Sequence, residues 1–192
     1  ASGRWPIEKL VLEMEELWVD VMTWGDHIYD NEKNITPYLE KENSPLIRPA
    51  NFYESRFYKL PWKGYKIVEK NGKKLLVIHL IGEVFTRYNV ANPFLKIDEI
   101  LISLKDEKFD GIIVDFNKEV SAEWNAMWFF LDSRVSFLYW THTHVQTNDE
   151  LILPWWTGTL SDVGMTWSLY SVIWSDYNSV EKRFLTWIMK WK

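Results

Sequence analysis

The chain has no cysteine, which excludes disulfides, thiolate zinc sites and a thiol nucleophile. Any metal it holds must therefore be bound by His, Asp, Glu or Asn. Glycine is scarce, with 8 residues against 13 tryptophans in a chain of 192. Excess basic charge is missing too: 22 Lys and Arg against 27 Asp and Glu give a formal net charge of −5, well mixed along the chain. This lacks the basic footprint that grips a nucleic-acid duplex by its phosphates. An anionic substrate would then need a local source of positive charge, for which a metal site is the obvious candidate. No apolar run approaches the ~20 residues of a membrane span, and Ala1–Ser2–Gly3–Arg4 lacks the apolar core of a signal peptide. A cytoplasmic protein without membrane contact is expected. Nucleophile elbow, phosphate-binding glycine loop and dinucleotide fingerprint are all absent, which narrows a catalytic reading to metal-assisted hydrolysis.

What is present reads as one globular α/β domain. Hydrophobic residues make up 47% and charged residues 26%, a composition that builds a single core at this length. Ile7, Leu10, Val11, Met14 and Leu17 carry the spacing of an amphipathic helix over Pro6–Leu17. Val19–Met22 reads as a short strand, residues 30–64 as a short helix and an irregular connection, and Lys74–Leu80 as a strand. Pro93–Leu104 is a second helical pattern. Gly111–Phe116 is a buried strand, Ser121–Leu131 a helix with Ser121 as its expected cap, and Val135–Trp140 a further strand. Strands alternating with helices of about a dozen residues indicate a mostly parallel sheet, whose ligands gather at C-terminal strand ends.

Three strand ends carry chemistry. His142 and His144, two apart after Val135–Trp140, suit neighbouring metal ligands, or else a structural pair at a strand end. Gly25–Asp26–His27 by itself reads equally as a glycine turn, and Asn117 as a turn or cap residue. His79 lies inside an apolar strand and reads as a hydrogen-bonded interior histidine, outside the site.

Taken in order, Gly25–Asp26–His27, Asp115–Phe116–Asn117 and Thr141–His142–Thr143–His144–Val145–Gln146–Thr147 resemble the ligand motifs of calcineurin-like metallophosphoesterases. Within that superfamily the pattern is similar to the bacterial YmdB-like branch, known for hydrolysing cyclic nucleotides, which carries Gly-Asn-His, Asp-Phe-His and Thr-His-Thr-His-Val-Gln-Thr. Arg48–Pro49–Ala50–Asn51–Phe52, Asn92–Pro93–Phe94, Asp162–Val163–Gly164–Met165–Thr166 and Arg183–Phe184 fall in step as well.

The resemblance implies a four-layer α/β sandwich, two packed β-sheets flanked by helices, formed by residues 1–192 as one domain truncated at both ends. It implies two divalent or trivalent metal ions (Mn, Fe or Zn) with Asp26, Asn117, His142 and His144 as ligands. His27 matches the residue that donates a proton or hydrogen bond toward the phosphate. The implied substrate is a small phosphodiester or cyclic nucleotide, hydrolysed by water activated between two metals; homo-oligomerisation is left open. Two positions depart from the pattern: Asp26 replaces a ligating Asn, and Asn117 replaces a ligating His with a weaker amide oxygen. The family's upstream Gly-Asp and Glu-Asn motifs and its closing strands are expected beyond the two ends. The rival readings are a non-catalytic binding or regulatory relative and an inactive fragment.

Ten tryptophans, Trp5, Trp18, Trp62, Trp128, Trp140, Trp155, Trp156, Trp167, Trp174 and Trp187, stand where the family usually has glycine. A UGA codon, read as glycine by some bacterial lineages and as tryptophan by common translation tables, would produce this pattern. Deliberate engineering and an aromatic-rich core are the alternatives. The turn around Trp155–Trp156 is expected to need positive φ, and the chain as it stands is expected to show little metal-dependent activity.

Overall fold

Long apolar runs form the centre of the structure. In the computed structural model, which describes residues 7–41, 43–55, 60–61, 63–165, 169–173 and 175–186, the elements are in chain order α1 (Glu8–Glu16), β1 (Met22–Thr23), α2 (Glu32–Leu39), β2 (Leu46–Ile47), β3 (Tyr65–Lys70), β4 (Lys73–Ile81), α3 (Pro93–Ser103), β5 (Gly111–Asn117), α4 (Ser121–Leu131), β6 (Phe137–Thr141), β7 (Leu151–Ile152), β8 (Gly158–Leu160) and α5 (Tyr177–Thr186). Six strands form one sheet in the order β3-β4-β5-β6-β8-β7, and β1 pairs with β2 in a second, two-stranded sheet. β4, β5, β6 and β8 are parallel, while β3 and β7 join antiparallel at the two edges.

Register assigns each face its work. Ile78, Val114 and Leu138 lie side by side across the three central strands, as do Leu80, Phe116 and Trp140. These rows pack with Ile97 and Ile100 of α3 and Trp124, Met127 and Leu131 of α4 to form the main core. The alternate row, His79, Asp115 and Tyr139, necessarily points the other way. There Tyr139 hydrogen-bonds Thr23 of the small sheet. Beyond the small sheet, Val11 of α1, Ile35, Tyr38 and Leu39 of α2, and Leu46 of β2 enclose a second core. Among the described residues no helix is long and apolar enough to cross a membrane.

Local signals explain most boundaries. Asn92 caps α3 by accepting hydrogen bonds from Phe94 and Leu95 N–H at 3.0 and 3.1 Å, with Pro93 in the first turn. Ser121 does not cap α4: it is the helix's first residue, Val120 holds the cap position, and no side-chain cap bond forms. Asn51 is fully buried and ties two segments together, accepting from Ile81 N–H and donating to the Ile81 and Ala91 carbonyls at 2.9, 2.7 and 2.8 Å.

Two of the indoles stand in the left-handed backbone that favours glycine. At the end of α1, Val19 N–H reaches Met14 O and Trp18 N–H reaches Glu15 O, the paired bonds of a Schellman motif. Trp18 occupies its glycine position at φ 62° and is 83% exposed. Between β7 and β8, Trp156 N–H bonds Leu153 O and Leu153 N–H bonds Thr157 O, a tight turn closed by Trp156 at φ 80°. The expected positive φ near Trp155–Trp156 is thus observed, at Trp156. Trp128 lies in α4, Trp140 in β6, and Trp155 in the β7–β8 turn. Trp5, Trp62, Trp167, Trp174 and Trp187 lie outside the described residues.

A left-handed conformation costs an L-residue about 1–2 kcal/mol. Trp18→Gly and Trp156→Gly should each raise the thermal midpoint, by roughly 2–4 °C for every kcal/mol regained in a domain of this size. Trp128→Gly should lower it, because a glycine inside a helix costs about 1 kcal/mol and strips packing from the core. Calorimetry of the three variants checks this; a lower midpoint for Trp156→Gly would contradict it.

Candidate metal centre

The parallel register brings the ends of β5 and β6 side by side, with Asn117 paired to Thr141. Asn117 Nδ2 donates to Thr141 Oγ1 at 3.2 Å, and Thr141 Oγ1 donates to Asp115 Oδ1 at 2.7 Å. Gly25 approaches so closely that a Cβ there would fall 2.4 Å from Asn117 Nδ2, so the turn leading to Asp26 needs a glycine. Asp26, Asn117, Lys118, Glu119, His142 and Arg87 line one cavity of about 180 Å³.

The loop after β6 turns out of the sheet. His142 and His144 have φ values of 152° and 65°, unusual backbone that only surrounding bonds can hold. Buried Asp162 supplies those bonds: its Oδ2 accepts from Thr143 N–H at 3.0 Å and Thr143 Oγ1 at 2.6 Å, and its Oδ1 accepts from Gly164 N–H at 2.7 Å. Thr147 N–H then bonds Asp162 O, closing the loop. Burial, followed by the charge of His142, holds the His144 ring below its ordinary pKa, with smaller influences from Asp162, His27 and Asp26. The ring is thereby kept in the neutral form that binds metal.

His27 sits in a polar network on the same side. Its Nδ1 lies 2.8 Å from Asp30 Oδ2, and its Nε2 lies 3.7 Å from Asp26 Oδ1. Arg87 donates to Asp30 Oδ1 at 2.5 Å and to Asp26 O at 2.9 Å, and its Nε lies 3.5 Å from Asp26 Oδ2. Its guanidinium rests over the Tyr88 ring, whose phenol burial pushes up to about 12. His79 is fully buried, with Nδ1 3.2 Å from Asp115 O, as an interior histidine would be.

Of the five residues singled out from sequence, Asp26, Asn117 and His142 line the common cavity, while His27 and His144 share its electrostatic neighbourhood. One carboxylate, one amide and two imidazoles fit a first-row metal by donor type. They do not form a closed shell, since among the described residues no three His, Asp or Glu side chains lie close enough to hold an ion. His142 Nε2 instead meets Glu119 Oε2 at 2.5 Å.

Sequence reasoning missed Asp30, Arg87, Glu119 and Lys118, and gave Asp162 no role beyond its place in a matching segment. Asp30, three residues after His27, had a local signal in that spacing; Arg87, 60 residues from His27, had none. Lys118 is 2% exposed, and its Nζ lies 2.8 Å from the Trp140 ring centroid and 5.7 Å from that of Trp124. Nζ makes no hydrogen bond to any described residue. Burial pushes this amine down to about 7, against the attraction of Glu123.

The family model described as YmdB-like protein matches residues 1–191. A 2',3'-cyclic-nucleotide 2'-phosphodiesterase of Bacillus subtilis (strain 168) is 38% identical over 186 residues, covering 97% of this chain and 67% of its own length. A crystal structure of a hypothetical protein from Thermus thermophilus superposes with a TM-score of 0.87 at 32% identity, over 99% of this chain and 71% of that one. That of a novel phosphatase from Mycoplasma pneumoniae gives a TM-score of 0.81 at 28% identity, over 97% and 65%. The α/β fold described above is shared with that phosphatase.

Lys118 gives the fold a pH dependence of definite sign. Its folded pKa, about 7, lies below the unfolded value of ~10.4, so the unfolded chain binds more protons between them and stability should rise with pH across that window. Lys118→Met should raise the thermal midpoint, more at pH 6 than at pH 10. An equal gain at both, or a loss at pH 6, would contradict the burial account.

Proposed function

The chain belongs to the YmdB-like family, and on that premise we propose that it is a metal-dependent phosphodiesterase acting on small phosphodiesters or cyclic nucleotides. What carries the proposal is the meeting of three separate motif ends at one cavity: Asp26 after β1, Asn117 closing β5 and His142 after β6. Asp26, Asn117, His142 and His144 would hold metal, with Mn²⁺, Fe or Zn²⁺ suited to their nitrogen and oxygen donors and two ions the expected number. A metal bound there supplies a Lewis acid for a phosphoryl oxygen and lowers the pKa of water.

The chain's own residues do the rest. Asp30 fixes the His27 ring through Nδ1, so that as the imidazolium His27 would give a proton or hydrogen bond from Nε2, on the side of Asp26, toward a leaving oxygen. Arg87 offsets the charges of Asp26 and Asp30 and, at the cavity wall, adds the positive charge an anionic substrate needs. Asp162 holds the backbone between the two histidines. The reading includes a cytoplasmic setting and leaves room for a homo-oligomer. A non-catalytic binding protein is the second reading, favoured by one observation: Asn117 turns its amide nitrogen to Thr141 and offers only a neutral oxygen.

The test is Mn²⁺-dependent hydrolysis of a chromogenic phosphodiester. It compares the chain as it stands with a version carrying glycine at the ten tryptophan positions and the family's Gly-Asp and Glu-Asn motifs upstream. The second should be active and the first nearly silent. In the active version His27→Ala should lower kcat by about 10²–10⁴, and His142→Ala should abolish metal-dependent turnover. No turnover in the second version would favour the binding reading, and turnover indifferent to His142→Ala would overturn the metal assignment.

A further inference from the structure

We propose that Glu119 is a metal ligand of this centre, supplying the charged donor that position 117 lacks. The inference rests on the metallophosphoesterase reading above. It begins with what Asn117 cannot do. Its side chain is 8% exposed, bonded to Thr141 and backed by Gly25, so it is pinned, and its only free donor atom is a neutral amide oxygen. Such an oxygen is a weak ligand for a first-row cation beside imidazole or carboxylate.

Two residues further on, the chain offers a carboxylate. β5 ends at Asn117 and α4 begins at Ser121, so Glu119 sits in the short turn between them, with its side chain 54% exposed on the cavity wall. Its Oε2 lies 2.5 Å from His142 Nε2, the ring nitrogen at which an imidazole commonly binds a metal. Two donors on one ion, each ~2.0–2.2 Å from it, lie ~3 Å apart when they are right-angle neighbours in an octahedral shell, the geometry that suits Mn²⁺. The pair therefore needs to open by only about half an ångström to admit a cation between them. Glu119 reaches that spacing by rotating its own flexible side chain, without moving the strand ends. Asn117 and Glu119 would together do the work of a single histidine, one as a fixed neutral donor and the other as a mobile charged one.

The alternative is that Glu119 only orients the His142 ring. The two roles separate in a rescue experiment that reads metal binding rather than turnover. Mn²⁺ is titrated into the version carrying the ten glycines and the upstream motifs and followed by electron paramagnetic resonance, for that parent, Glu119→Gln, Asn117→His and the double variant, with circular dichroism confirming that each is folded. Glu119→Gln should weaken Mn²⁺ binding by about tenfold or more, and adding Asn117→His should recover most of that loss, because a histidine there replaces the missing donor. Binding within twofold of the parent in Glu119→Gln, or a loss that Asn117→His fails to recover, would overturn the assignment. A parent chain that takes up no Mn²⁺ would instead overturn the metal reading on which it rests.

Discussion

The candidate site depends on one buried carboxylate. Asp162 accepts three hydrogen bonds, two from Thr143 and one from Gly164, and so holds the backbone between His142 and His144 in a conformation that a free chain would leave. A charged acceptor in a buried setting makes bonds of about 1.5–3 kcal/mol each, enough to outweigh the left-handed cost at His144. Gly164, itself at φ 74°, approaches Gln146 so closely that a Cβ would come within 2.9 Å. The Asp-Val-Gly segment is therefore a clamp on the histidine loop, which gives a physical reason for the two motifs to occur together.

The remaining groups are brought in by the sheet. Parallel pairing of β4, β5 and β6 puts Ile81, Asn117 and Thr141 in one row at the C-terminal ends. Asn51 then ties Ile81 to Ala91, fixing both ends of the loop that carries Arg87. Arg87 in turn bridges to Asp26 and Asp30, so the small sheet's loop and the large sheet's loop meet across the cavity. Three of the indoles, Trp124, Trp128 and Trp140, cluster on the other face, and Trp124 and Trp140 cover the Lys118 amine, whose burial is a cost to the fold rather than a part of the chemistry.

The central strands and α4 were legible because Leu75–Leu80 and Gly111–Phe116 are nearly continuous in apolar residues and Ser121–Leu131 keeps a helical length between them. β3, Tyr65–Lys70, was hidden because an edge strand buries little, and its Lys and Glu residues give no clean alternation. β2, β7 and β8 are two or three residues long and rest on pairing, not on local propensity. The left-handed turn at Trp156 was expected because tryptophan stands at a usual glycine position between Leu153–Pro154 and Thr157–Gly158, whereas the Schellman end of α1 was masked by an indole in its glycine position. At the site, motif order pointed to Asp26, His27, Asn117, His142 and His144. The contact of Glu119 with His142 and the reach of Arg87 to Asp30 are products of tertiary approach, and no spacing rule encodes them.

The central claim is that the ends of β1, β5 and β6 build a metal centre. Crystals grown with Mn²⁺ and measured at its absorption edge test it most directly. The account predicts an anomalous peak in the cavity within ~2.0–2.3 Å of His142 and of at least one oxygen from Asp26, Asn117 or Glu119. Full-occupancy Mn²⁺ elsewhere on the protein, with none in this cavity, would contradict it.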